Sequence, residues 1–383
     1  MEDLKKFLKK RKDEGALRIL KPLDSRANVR IAIRSKEYVD LSSNDYLGLS
    51  CHPYLKEAAI KAVRQFGTGS SASRLLSGDS VLCHDLEERT AVFKGKESAL
   101  VYNSGYQANV GILSALYKKG DAIFADKLSH ASILDGVTLS GAKLFRFRHN
   151  DTQRLDSLLK EKRKEFKNCL IVTETVFSMD GDEPPLKELV ALKKKYDCAI
   201  MADEAHATGI FGRTGSGVVE RERLTGDIDL IMGTFSKALG SFGAYLAASQ
   251  EITDYLVNTC RSFIYSTALP PAVVAVNIAA LEIIEREPWR REKLLDMVKF
   301  FRHGLTRKNL KILGSSQIVP LVVGDNFKAM DCALSLQDKG WWVQPIRPPT
   351  VPAGQARLRF SLSTDHGKDI LEKLINDISS LGI

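Results

Sequence analysis

Four stretches of the chain end an apolar run in groups able to do chemistry. Ala199-Ile-Met-Ala-Asp-Glu-Ala-His206 places a carboxylate, Asp203, three residues before an imidazole, His206. Leu230-Ile-Met-Gly-Thr-Phe-Ser-Lys237 ends in the hydroxyls of Thr234 and Ser236 and the amine of Lys237. Leu170-Ile-Val-Thr-Glu-Thr-Val-Phe-Ser178 ends in Glu174 and Ser178, and Ala99-Leu-Val-Tyr-Asn-Ser-Gly-Tyr106 ends in a small turn. Short continuous apolar runs are the pattern of strands buried on both faces. Open α/β sheets bind ligands beyond the carboxyl ends of such strands. An ionised Asp203 at that depth needs a cationic partner, because an unpaired buried charge is costly. A protonated pyridine nitrogen is one such partner. If the turn at Gly105 and Tyr106 opens a helix, its N–H groups can hold a phosphate.

Each group also has a plain structural reading. Lys237 can be a surface lysine, Asp203 a helix cap, and Glu204 a first-turn acid or structural partner. His130, in Asp126-Lys-Leu-Ser-His-Ala-Ser132, can be a satisfied loop residue. Their convergence on strand ends favours a shared site. Two other motifs fail. Asp203-Glu-Ala-His206 spells a helicase box, but the two Gly-Lys pairs, Gly95-Lys96 and Gly367-Lys368, are followed by Glu97 and Asp369 rather than by Ser or Thr. Gly67-Thr-Gly69-Ser-Ser-Ala72 fits a dinucleotide fingerprint but follows a helical pattern, not a strand. A metal held by Asp203, His206 and His130 satisfies the spacing yet leaves Lys237 without a role.

The elements that must position these groups follow from the pattern. Residues 1–20 read as an amphipathic helix and 29–39 as extended. Strands are expected at 99–102, 122–125, 170–174, 199–203, 230–234 and 244–248, alternating with helices. That alternation predicts an α/β fold with a mostly parallel central sheet flanked by helices. A long charged helix is expected from Ala279 towards Arg307, then strands at 318–323, 342–346 and 358–362 with helices at 327–338 and 366–380. This predicts three parts: an N-terminal helix and extended segment (1–45), a large cofactor-binding domain (46–280) and a smaller C-terminal α+β domain (281–383).

Composition narrows the class. Apolar residues are 44% and charged residues 27%, which excludes a disordered chain. The net charge of +9 sits largely in mixed runs such as Lys160 to Glu165, the pattern of a solvated helix face. The six cysteines form no Cys-x-x-Cys pair, which argues for a reducing compartment and against a zinc site. Lys5, Lys6, Lys9 and Lys10 interrupt any apolar leader, and the stretch Pro271–Ile284 is too short to span a bilayer. A cytoplasmic protein without membrane or nucleic-acid partners is expected.

The motifs Leu41-Ser-Ser-Asn-Asp-Tyr-Leu-Gly-Leu49, Asp126 to Ser132, Thr173 to Gly181, Asp203 to His206 and Gly233 to Lys237 resemble those of the α-oxoamine synthases. These are fold type I, aminotransferase-like enzymes, and the resemblance spans nearly the whole chain. It implies pyridoxal 5'-phosphate as cofactor and a homodimer. It implies Lys237, His130, Asp203 and His206 as catalytic residues. Lys237 would bind the cofactor covalently, Asp203 would pair with its ring nitrogen, His206 with its phenolic oxygen, and His130 would stack on the ring. Gly105, Tyr106, Ser178 and Thr234 would hold the cofactor, and Thr267 would reach a phosphate across the dimer interface. Arg18, Asn44, His130, Thr350 and Arg359 would contact substrates. Many relatives carry Phe where Tyr106 stands, which leaves a backbone contact unaffected. Ala16-Leu-Arg18 and Arg347-Pro-Pro-Thr-Val-Pro-Ala-Gly354 are most similar to the branch that condenses L-alanine with a pimeloyl thioester of coenzyme A or acyl carrier protein. A glycine C-acetyltransferase is the alternative.

Overall fold

A computed structural model describes residues 2–383 and gathers the apolar runs into one seven-stranded sheet. Across it the order is Ser98–Tyr102, Ala244–Ala248, Leu230–Thr234, Ala199–Asp203, Cys169–Glu174, Ala122–Asp126 and Lys143–Phe147. Pairing is parallel throughout except at Ala244–Ala248, which runs antiparallel to both neighbours. The inner strands are buried along their whole length, as their unbroken apolar sequences require. Lys143–Phe147 was not expected. It is an edge strand whose exposed Lys143 and Arg146 interrupt the apolar signal, and such charges protect an edge from further pairing.

Parallel pairing brings the carboxyl ends of five strands to one rim, with Glu174 directly beside Asp203 in the register. Helices cover the sheet. In Gly105–Leu116, Ala108, Ile112 and Leu113 are fully buried. Burying an Ile or Leu side chain stabilises by roughly 1.5–3 kcal/mol.

Contacts divide the chain into two compact units. The larger contains 49–177 and 183–291; the smaller contains 1–48, 178–182 and 292–383. In the smaller, Ile318–Gly324, Ala356–Ser361 and Pro345–Ile346 form an antiparallel sheet, accompanied by helices Asn326–Asp338 and Lys368–Ser379. A second sheet joins Ser25–Ala27, Arg30–Ile33 and Lys36–Asp40 to Trp341–Trp342.

Three expected elements are corrected. The N-terminal helix ends at Asp13 rather than near 20, because Gly15 takes a left-handed φ of +60° and the Ala16 N–H folds back onto the Arg11 carbonyl. The long charged helix is two helices, Pro271–Arg286 and Trp289–Arg307. Pro288 lacks an N–H and pushes Glu287 out of the helical region, to φ −122°, ψ 57°. The strand expected at 342–346 is split between two sheets, and the Gln337 side chain, not a ladder neighbour, bonds the Val343 carbonyl.

Candidate active site

The rim of the large sheet opens into a cavity of about 180 Å³. Asp203, His206, His130, Lys237, Gly105 and Tyr106 all line it, with Thr234. All seven come from sequence positions at, or within four residues of, a strand end, which is why the sheet can converge them.

Asp203 closes its strand and is 6% exposed. Its Oδ1 accepts the Ala205 N–H at 2.9 Å and its Oδ2 accepts the Asn109 amide at 3.0 Å. Both donors are neutral, and no cationic side chain lies within ion-pair distance of it among the described residues. The carboxylate faces the cavity, a position that suits a protonated ring nitrogen. Lys237 Nζ is 2.8 Å from His206 Nε2. The Thr234 hydroxyl donates to the Gly243 carbonyl and lies 2.7 Å from the Ser236 hydroxyl. Gly105 and Tyr106 begin a helix capped by Ser104, whose hydroxyl accepts the Gln107 N–H. First-turn N–H groups have no intrahelical acceptor and form a ready phosphate seat. The donor set thus fits pyridoxal phosphate: an anion for the ring nitrogen, an amine for the aldehyde and a helix start for the phosphate.

Six lining residues were not among the expected site residues: Asn109, Ser132, Glu174, Ala205, Met232 and Ser236. Asn109 sits one helical turn beyond Gly105, and Ser132 two residues after His130, so spacing held a faint signal for both. Glu174 was visible as a strand-end acid. Its Oε1 accepts the His130 N–H at 2.7 Å. Burial, and then the negative charge of Asp203, push its pKa up to about 8. Glu204 has the structural role foreseen for it. Its Oε2 meets Lys94 Nζ at 2.7 Å in a pair with no exposed surface. Burial works against the Lys94 charge, but Glu204 and the Tyr245 hydroxyl together outweigh it and raise the lysine pKa.

Other expected site residues lie elsewhere. Thr267 is exposed outside the cavity and bridges to Ser73. In the small unit, the Arg359 guanidinium donates to the Ser178 carbonyl at 2.7 Å, the Ser361 hydroxyl at 2.6 Å and Asn44 Oδ1 at 3.3 Å. These acceptors are neutral, and among the described residues no carboxylate pairs with this 8%-exposed cation. Also in the small unit, Arg18 donates to the Thr350 hydroxyl at 3.0 Å beside a cleft of about 440 Å³ that Arg11 and Arg347 line too. Burial lowers the Arg347 pKa, and the charges of Arg11 and Arg18 lower it further.

The strand order and this cavity define a fold type I pyridoxal phosphate enzyme. The family model for class I and II aminotransferases matches residues 36–378. A Geobacter sulfurreducens 8-amino-7-oxononanoate synthase is 47% identical over 378 residues, 98% of this chain and 96% of that one. The synthase of Saccharophagus degradans is 43% identical over 99% of this chain and 96% of its own. Among solved structures, serine palmitoyltransferase from S. paucimobilis with a bound PLP–myriocin aldimine matches with a TM-score of 0.94 and 32% identity, over 99% of this chain and 96% of that one. Francisella tularensis 8-amino-7-oxononanoate synthase matches with a TM-score of 0.78 and 31% identity, over 90% and 97%. The chain belongs to the class I and II aminotransferase family, among its 8-amino-7-oxononanoate synthases, and its cofactor is pyridoxal phosphate.

Proposed function

We propose that this chain condenses L-alanine with a pimeloyl thioester to give 8-amino-7-oxononanoate, carbon dioxide and free thiol, a step of biotin synthesis. The observation that carries the chemistry is the buried Asp203 carboxylate facing the same cavity as Lys237. The choice of substrates rests on the shared name of the relatives.

When bound, the cofactor supplies an electron sink for a carbanion at the amino-acid Cα. Lys237 Nζ holds the cofactor and then moves the Cα proton. Asp203 keeps the ring nitrogen protonated, since an adjacent anion favours the cationic form. His206 hydrogen-bonds the phenolic oxygen, and His130 covers the ring face. Gly105, Tyr106, Ser178 and Thr234 hold the cofactor, and Thr267 serves the partner subunit's phosphate. Arg359 binds the alanine carboxylate, which would be its first counter-charge, and guanidinium–carboxylate pairing suits that task. Arg18, Asn44 and Thr350 contact substrates, and the cations around the Arg18 cleft favour an anionic acyl thioester, whether coenzyme A or a carrier protein bears it. Exposed Leu75, Leu76, Val81 and Val92 support a homodimer, and six free cysteines support a cytoplasmic setting. No helix among the described residues is long and apolar enough to cross a membrane.

Mass spectrometry after incubation with alanine or glycine and several acyl thioesters tests the reaction. The alanine–pimeloyl product should dominate; faster turnover of glycine with acetyl-CoA would assign the chain to the ligase branch. Borohydride reduction and peptide mapping should place the cofactor on Lys237, and a label on another lysine refutes that role.

A further inference from the structure

We propose that Ser132 and Asn109 are positioning residues that lock His130 as the Nε2–H tautomer and tie it, through a directed chain of hydrogen bonds, to Asp203. The proposal rests on the cofactor site described above, but its principal test does not require cofactor.

The hydrogen inventory fixes every direction in the chain. His130 caps the helix Ala131–Ser140, and the Ser132 backbone N–H points at His130 Nδ1 at 3.2 Å. A backbone N–H can only donate, so Nδ1 carries no proton. A neutral ring must then hold its proton on Nε2. The Ser132 hydroxyl, 2.7 Å from the same nitrogen, must also donate to it. That leaves the Ser132 oxygen as an acceptor, and Asn109 Nδ2 donates to it at 3.0 Å. The second Nδ2 hydrogen goes to Asp203 Oδ2, also at 3.0 Å. The reversed amide would set Asn109 Oδ1 against a carboxylate, so only one orientation works. Asn109 and Ser132 are buried, whereas His130 keeps part of its surface exposed. The chain therefore holds the Nδ1 side and leaves Nε2–H as a donor for whatever lies against the ring.

The surroundings keep the ring neutral. The charged or titratable groups facing it are Asp203 and Glu174 from the strand ends, Lys237 beyond a third strand, Asp135 from its own helix, and Tyr106 from the helix Gly105–Leu116, whose ring meets it edge-on at 6.2 Å. The helix N-terminus disfavours an added positive charge there. Loss of water around the ring holds the His130 pKa below the ordinary value, with Lys237 acting in the same direction and Asp203 against it.

Histidine-selective ¹⁵N labelling of the full-length chain reads the tautomer directly, with the His130 signal assigned from a His130→Asn variant. Wild type should show a bare Nδ1 and a protonated Nε2 between pH 6 and 8, with or without cofactor. Ser132→Ala and Asn109→Leu should give a mixture of tautomers, and Ser132→Thr should restore one. In the two disrupted variants kcat should also fall, by roughly tenfold to a hundredfold, as expected of a misaligned group. A proton on Nδ1 in wild type overturns the proposal, even if the variants fail to fold. A single unchanged tautomer in both folded variants overturns it as well. Failure to make the expected aminoketone would instead count against the functional reading.

Discussion

At the scale of residues, the role proposed for Asp203 is one of charge rather than packing, and one substitution separates the two. Asp203→Asn retains size and hydrogen bonding to Ala205 but removes the anion. Cofactor absorbance should persist while turnover drops by an amount worth several kcal/mol in the barrier, about 10²-fold or more. Near-normal kcat would refute the role. The Lys94–Glu204 pair is the opposite case, a buried structural charge beside the site. Lys94→Met would leave Glu204 buried and unpaired, at a cost of about 3–5 kcal/mol in denaturant unfolding. Adding Glu204→Gln should recover much of that loss, and no recovery would deny that charge is the cause. Asp203, His206 and Lys237 were legible in sequence because each ends a local apolar run. Lys94 was not, because its partner Glu204 is 110 residues away, and Asn109 and Ser132 left only a faint signal in their spacing.

At the scale of elements, the turn after Lys237 shows why a glycine is required. Gly240 has φ of +65° and its N–H donates to the Lys237 carbonyl at 2.9 Å. An added Cβ would lie 2.6 Å from the Leu49 carbonyl carbon and closer still to the Ser50 nitrogen. These are backbone atoms, so the neighbour cannot swing aside. Gly240→Ala should destabilise the chain by at least about 2 kcal/mol from the left-handed strain and the contact together. Chemical denaturation monitored alongside the cofactor band should show both weakening, and an unchanged midpoint would refute the account. Sequence periodicity found the buried strands well because their apolar runs are unbroken. It missed Lys143–Phe147, whose charges belong to an edge, and it ran one helix through Pro288, where a single missing N–H outweighs the surrounding helical pattern.

At the scale of the whole molecule, local patterning has least reach. The pairing of Lys36–Asp40 with Trp341–Trp342 joins segments some three hundred residues apart, and no local signal reports it. His366 makes the same long connection by one ring. It has no exposed surface, its Nδ1 accepts the Ser363 N–H at 3.0 Å, and its Nε2–H donates to the Asp40 carbonyl at 3.1 Å. Both nitrogens are used by the neutral ring, so a proton on Nδ1 would break the first bond in a place without water. Burial accordingly pushes the pKa down to about 4 from the usual 6.5. The unfolded chain takes up this proton as pH falls through about 6.5, whereas the folded chain resists until about 4. The contribution of His366 to stability is therefore intact above pH 6.5 and lost progressively between 6.5 and 4, by roughly 3 kcal/mol in all. Denaturant unfolding at pH 7.0, 5.5 and 4.5 should reveal that slope. His366→Gln, which keeps an acceptor and a donor but does not titrate, should be less stable at pH 7 and should flatten the slope across this window. An identical pH dependence in variant and wild type would show that the loss of stability in acid belongs to other groups.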